Sequence, residues 1–308
     1  MSQETRVYEM PAHSLQELEK ALKRSLPQGA EWRAAPHARF AVKVEGVVLT
    51  AYESGKTVLQ GKALDEFIEQ HLGGVEGFAA SAAMVAKGRE LEAIDAPTIG
   101  SDESGKGDYF GPLVVAGVFT TPDDMAFLRE IGAADSKLLT DVRMMGQAGR
   151  IEKRLDHEVR RLMPAEYNER IEATGNANHV LAGLHAEVLG ALHSRHQEAR
   201  RTVVDRFSSA PVLERAITAR GFTAPGLDLR PGAESHPAVA AASILARVHF
   251  LDGLKHCAEE CATDLPKGAG TPVDEAARRV VEIGGMVLLG KVAKVHFKNT
   301  TKIPRLTR

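Results

Sequence analysis

The stretch that decides the fold is Thr98-Ile99-Gly100-Ser101-Asp102-Glu103-Ser104-Gly105-Lys106-Gly107-Asp108-Tyr109-Phe110-Gly111-Pro112, which runs on into the apolar segment Leu113–Thr120. A short apolar strand ends in two acids. A turn containing Gly105 and Gly107 follows, and then a strand apolar enough to be buried on both faces. Neighbouring side chains on an ideal strand point to opposite faces, so the strand must end or bend here for both carboxylates to serve one centre. The two glycines permit such a bend and let a backbone or ligand approach closely. Hard divalent cations such as Mg2+ prefer carboxylate oxygens. Acids clustered at strand ends therefore suit a phosphoryl-transfer site. Taken alone, the pair fits an acidic turn with no ligand equally well.

Downstream, strands alternate with longer helices, the pattern of an α/β sheet domain. Thr98–Asp102, Pro112–Thr120 and Thr202–Asp205 read as strands. Met144–Met163, Ala177–His196 and Val239–Cys261 read as helices. The third strand ends in Asp205. A further acid, Glu234, stands in Gly232-Ala233-Glu234-Ser235, just before the Ala-rich helix. Strand ends on one parallel edge lie close in space, so Asp102, Glu103, Asp205 and Glu234 are expected around one point. Four such acids would repel strongly without a cation, which makes a bound metal the simplest explanation.

Upstream, residues 1–72 read as a small α+β unit. Ser14-Leu15-Gln16-Glu17 has the form of a capping box, and Leu15, Leu18, Leu22 and Leu26 follow at helical spacing, predicting a helix over 14–26. Phe40–Tyr52 reads as β structure with Gly46 a possible bulge. Ser54-Gly55 is a turn and Thr57–Gln60 the returning strand. Leu64–Leu72 is a short helix. The Gly- and Ala-rich stretch 73–96 is expected to be a linker, with a possible helix from Phe78 to Leu91, and 97–308 a second domain.

A chain of 308 residues suits two domains, and its 44 % hydrophobic content is ordinary for a globular protein. Apolar runs such as Gly111–Phe119 and Val280–Leu289 fall short of the ~20 residues a membrane span needs. No membrane association is expected, the N-terminal residues do not resemble a signal peptide, and a cytoplasmic location is expected. The net charge of −2 does not advertise nucleic-acid binding. From Arg278 to Arg308, however, eight Lys and Arg face one acid, Glu282. That segment suits either a phosphate-backbone partner or a solvated charged face. Cys257 and Cys261, the chain's 2 cysteines, share a helix face and read as small core residues.

DESGKGDYFGPLVVAG at 102–117 closely resembles the opening motif of type 2 ribonucleases H, and within them of the ribonuclease HIII branch. Ala134-Asp135-Ser136-Lys137 resembles the family's D-S-K element, and Tyr167-Asn168-Glu169 through Asn176-Ala177-Asn178, with Leu181, Ala182 and His185, its helical motif. Val204-Asp205 matches the third acidic position. Ala240–Arg247 matches the A-A-S-I-x-A-[KR] helix, and Gly290-Lys291 with Ala293–Thr300 resembles the C-terminal segment of the HIII branch. Leu49–Lys56 with Gln60-Gly61 looks like that branch's extra domain, which is similar in fold to the TATA-box-binding protein and is implicated in holding substrate.

The resemblance implies a ribonuclease H-like mixed sheet flanked by helices, with a TATA-box-binding-protein-like domain before it. It implies an endoribonuclease that hydrolyses the RNA strand of RNA/DNA hybrids, leaving 3′-hydroxyl and 5′-phosphate ends, with two Mg2+ or Mn2+ ions at work. Asp102, Glu103, Asp205 and Glu234 would be catalytic metal ligands, with Glu234 at a position where the family more usually has Asp. Gly105, Lys106 and Gly107 fall on the element expected to read the ribose 2′-hydroxyl, the group that tells RNA from DNA. Lys106, Lys137 and Arg247 are candidates for phosphate contacts, or for surface charge or ion pairs with the acids. Ser136 and Ser243 fit substrate contacts or caps, and Tyr109 and Phe110 nucleotide stacking or core. His185, His296 and Trp32 read as structural. A monomer is expected, with a preference for runs of ribonucleotides over single ones. Two rivals stay open: another nuclease or recombinase of the same broad fold, and a hybrid-binding protein without catalysis.

Overall fold

The decisive stretch forms an antiparallel hairpin, β6 (Thr98–Ser104) and β7 (Leu113–Thr120), at the centre of a mixed sheet. The computed structural model describes residues 4–10, 14–27, 29–35, 38–61, 64–72, 91–133 and 141–303. Asp135-Ser136-Lys137, and the expected helix apart from its last residue Leu91, lie outside the described residues. The chain divides into two compact units, Met1–Arg89 and Glu90–Arg308.

The first unit is a five-stranded antiparallel sheet of β1 (Glu4–Glu9), β2 (Glu31–Arg33), β3 (Ala38–Val44), β4 (Val47–Tyr52) and β5 (Lys56–Gly61), in the order β1-β5-β4-β3-β2. Among its described residues are also the helices α1 (Ser14–Ser25) and α2 (Leu64–His71). Along β4, Val47, Leu49 and Ala51 are buried and alternate with half-buried Val48, Thr50 and Tyr52. The buried set packs with Leu15, Leu18 and Leu22 of α1. The reading of Gly46 as a bulge is corrected. Glu45 and Gly46 both have positive φ, 50° and 80°, and make the two-residue turn whose twist matches a hairpin. Trp32 lies on the edge strand β2, 38 % exposed, packed 5.6 Å from Phe40 with the Lys23 ammonium over its ring.

The second unit has the sheet order β10-β9-β6-β7-β8, where β8 is His157–Leu162, β9 Arg201–Asp205 and β10 Leu227–Arg230. Strands β10, β9 and β6 run parallel, while β7 and β8 are antiparallel to their neighbours. The helices are α3 (Met125–Glu130), α4 (Asp141–Arg154), α5 (Pro164–Thr174), α6 (Ala177–Arg195), α7 (Ala210–Ala219), α8 (Pro237–Glu260), α9 (Thr271–Val292) and α10 (Lys298–Thr301). A single helix over Met144–Met163 is overturned: the helix stops at Arg154 and His157–Leu162 is the edge strand. Exposed Arg160 and Arg161 on that edge suit a strand that must not pair further.

Helices α6 and α8 cover the sheet, each in its own apolar cluster. Among the described helices α8 alone is long and apolar enough to cross a bilayer, yet it is spent as a core helix, with thirteen of its residues buried. It can lie close because β6 carries Gly100: a Cβ there would meet the Ala238 and Val239 backbone at 2.6 Å. Cys257 and Cys261 are buried and unbonded to each other, as core residues.

Candidate active site

Strand β6 pairs with β9 only as far as Ser101–Val204, but with β7 as far as Ser104–Val114. Asp102 and Glu103 therefore stand where the parallel partner ends. Strand alternation still operates there. Ser101 and Glu103 face α6, while Gly100 and Asp102 face α8. The two acids nonetheless interact: the Glu103 amide donates to Asp102 Oδ1 at 2.8 Å. Asp205, at the end of β9, accepts from the Ala233 amide at 3.0 Å. Burial, then the negative charge of Glu103, pushes the Asp102 carboxyl up to about 8, and Asp205 adds to the rise; the Glu103 amide and the Ser243 hydroxyl oppose it.

The structure thus brings Asp102, Glu103 and Asp205 within electrostatic reach of one another. Glu234 is buried in the turn Ala233–Ser235, one residue past the amide that holds Asp205. Among the described residues, no three His, Cys, Asp or Glu side chains converge tightly enough to grip a metal as placed. Two of the carboxylates are engaged with backbone amides. The donor set nevertheless suits a hard divalent cation: all are carboxylate oxygens, and their mutual repulsion is what a cation would relieve.

Glu103 is held from two sides. His185 Nε2 lies 3.3 Å from Oε2, and Lys106 Nζ lies 3.8 Å from Oε1. Lys106 also donates to the Phe207 carbonyl at 3.0 Å, so this candidate phosphate contact is tied into the acid cluster. Arg247 lies on α8 one turn beyond Ser243, its guanidinium 5.6 Å from the Phe250 ring. Lys137 is outside the described residues.

The glycine turn divides its labour. Gly105 has φ 88°, and a Cβ there would meet Pro112 O at 2.1 Å, so the fold itself demands glycine. Nothing lies within 4 Å of a Cβ built on Gly107. The turn runs into Tyr109 and Phe110, which are fully buried and packed on each other, with Tyr109 also against Phe297. Both are core, and neither is free to stack on a nucleotide. Behind them Lys294, fully buried, donates to the carbonyls of Phe110, Gly111 and Pro112. Asn168 holds the adjoining backbone, donating to Gly290 O and Ala293 O and accepting from Val295 N. Part of the basic C-terminal segment is therefore spent internally: besides Lys294, Lys302 pairs with Asp274 and Lys291 with Glu260.

Sequence reading passed over Ser101 and Phe207. Ser101 was findable, because it stands two residues before Glu103 and so on the same strand face. Phe207 stacks on His185 at 4.6 Å and 3°, a contact no local pattern announces.

A mixed sheet with three acids gathered at adjoining strand ends defines a ribonuclease H-like nuclease. The comparisons with known proteins agree. A family model described as ribonuclease HII matches residues 99–300, and one described as a domain of unknown function, DUF3378, matches residues 5–74. Ribonuclease HIII of Streptococcus pneumoniae (strain JJA) is 35 % identical over 270 residues, 87 % of this chain and 88 % of that one. The crystal structure of Bst-RNase HIII in complex with Mn2+ is 33 % identical, with a TM-score of 0.65 over 97 % of each chain. Aquifex aeolicus RNase H3, at 23 % identity and a TM-score of 0.54 over 95 % of this chain and 100 % of that one, shares the fold. The chain belongs to the ribonuclease HIII family and is a ribonuclease H endonuclease.

Proposed function

We propose that this enzyme cuts the RNA strand of RNA/DNA hybrids with two divalent cations, Mg2+ or Mn2+, leaving 3′-hydroxyl and 5′-phosphate ends. The observation that carries the reading is the acid cluster of Asp102, Glu103 and Asp205 beside a glycine, Gly107, whose missing side chain the fold does not require. Asp102, Glu103, Asp205 and Glu234 would hold the metal; the Mn2+ complex of Bst-RNase HIII supports the use of a divalent cation. When bound, the ions supply a water of lowered pKa and charge stabilisation at the attacking and leaving oxygens.

The protein's own residues do the rest. The Gly105–Gly107 turn, exposed at Lys106 and Gly107, would offer backbone contacts to the ribose 2′-hydroxyl. Lys106 and Arg247 add positive charge where phosphates would pass, and Lys137 is assigned the same role from its D-S-K element. Residues 1–72 are assigned to holding substrate.

The test uses strand-labelled substrates: an RNA/DNA hybrid, the matching DNA duplex, a short ribonucleotide block in DNA and a single ribonucleotide in DNA. Cutting of the hybrid and the block in Mn2+ or Mg2+, with none in chelator, is expected. Equal cutting of the all-DNA duplex would refute the reading. Efficient cutting 5′ to the single ribonucleotide would refute the preference for runs.

A further inference from the structure

Helix α6 docks on the sheet through two buried histidines. His193 Nε2 meets Thr202 Oγ1 of β9 at 2.9 Å, and that contact ends in the core. About two helical turns earlier, His185 makes a different arrangement. Its Nδ1 lies 2.9 Å from Ser101 Oγ and its Nε2 3.3 Å from Glu103 Oε2. The ring is fully buried and Phe207 stacks flat against it. Ser101 and Glu103 lie two residues apart on one face of β6, so one imidazole spans both.

The polarity of this chain follows from the groups. An ionised carboxylate only accepts, so Nε2 carries the hydrogen that reaches Glu103. With its hydrogen on Nε2 the ring presents Nδ1 as an acceptor, and the buried Ser101 hydroxyl donates to it. The carboxylate selects the tautomer, the Ser101 hydroxyl completes it at Nδ1, and the Nε2 donor sets where Oε2 points. Phe207 prevents the ring from tilting out of that line. Lys106 restrains the other oxygen from a longer distance and is 40 % exposed, so the buried imidazole is the firmer restraint.

We propose that His185 is a positioning residue that holds the Glu103 carboxylate in the orientation from which it takes a divalent cation, with Ser101 anchoring the ring through Nδ1. The inference rests on the reading of Glu103 as a metal ligand. Hydrogen-bond partners that orient a ligating side chain typically change metal affinity or activity by about 10-fold to 100-fold when lost.

The experiment measures Mn2+ affinity without nucleic acid, by electron paramagnetic resonance of the free ion, on the full chain. Melting temperature is recorded for each variant, and kcat and KM are recorded on the hybrid. His185→Leu is compared with His193→Leu, which removes an equivalent docking contact with no acid behind it. His185→Leu should weaken Mn2+ binding by about 10-fold and lower kcat with little change in KM, whereas His193→Leu should lose stability only. His185→Gln, which keeps an N–H at the Nε2 position, should recover most of the Mn2+ affinity. Ser101→Ala gives the milder version should His185→Leu not fold, weakening binding by a smaller factor. Mn2+ affinity in His185→Leu or Ser101→Ala equal to that of His193→Leu would overturn the proposal. Unchanged affinity in Glu103→Gln would instead overturn the ligand assignment beneath it.

Discussion

The molecule's two sheets have five strands each and differ in direction. In the first unit every neighbouring pair is antiparallel, so each strand's end lies beside the next strand's beginning. In the second, β6, β9 and β10 run parallel and their carboxyl ends stand side by side. Asp102, Glu103 and Asp205 all come from that shared end. Acids far apart in sequence become neighbours because their strands point the same way, and the antiparallel sheet has no equivalent place to collect them.

Changes at the parallel end should cost chemistry, and changes elsewhere should cost stability. The largest effect is expected from Asp102→Asn. Hybrid cleavage should fall by about 100-fold or more, while the melting temperature stays level or rises, because a half-buried carboxyl crowded by Glu103 and Asp205 is lost. Mn2+ should raise the melting temperature of the wild type and not of this variant. A variant as active as wild type would remove Asp102 from the site.

Next comes the brace behind the turn. Lys294→Met leaves three carbonyls without their donor and should cost about 3 kcal/mol in denaturant unfolding. Burial also pushes the Lys294 ammonium down to about 7. Its folded pKa is therefore below its unfolded one, and between these values the unfolded chain binds the extra proton. Stability should rise with pH above about 7 through this group, and the Met variant should lack that rise.

Gly107→Ala should leave the unfolding free energy within about 1 kcal/mol of wild type, since its Cβ meets nothing. It should raise KM for the hybrid by about 10-fold through loss of close backbone approach. An unchanged KM would show that the ribose does not pass there. The smallest effect belongs to the antiparallel side. Gly46→Val forces a β-branched residue to φ 80° and should destabilise the first unit by roughly 1–2 kcal/mol, with kcat at saturating hybrid unchanged.

Local pattern carried much of this architecture. The strand–acid–glycine sequence, the apolar β7 and the helices of α6 and α8 could be read directly, because each depends on residues close in sequence. The misreadings have physical causes. His157–Leu162 is an edge strand whose exposed face is charged, so its residues join the charged face of the preceding helix. Glu45-Gly46 sits within one β-rich run, and the fold back on itself shows only in the two positive φ angles. The hold on Glu103 joins Ser101 to a residue 84 positions away, and helical spacing cannot say which histidine meets an acid. Lys294 looked like one cation in a basic stretch, since burial is decided by what packs over it.

That lysine has one more consequence. The acids at 102, 103 and 205 precede it in the chain, while the turn beside them is bolted through residue 294. In the order of synthesis, every assigned acid is made before the lysine that braces the loop next to them. A chain interrupted between residues 234 and 294 carries every assigned acid and lacks the fastening that sets the neighbouring backbone. Translation order thus supplies the acids before the loop beside them can be fastened.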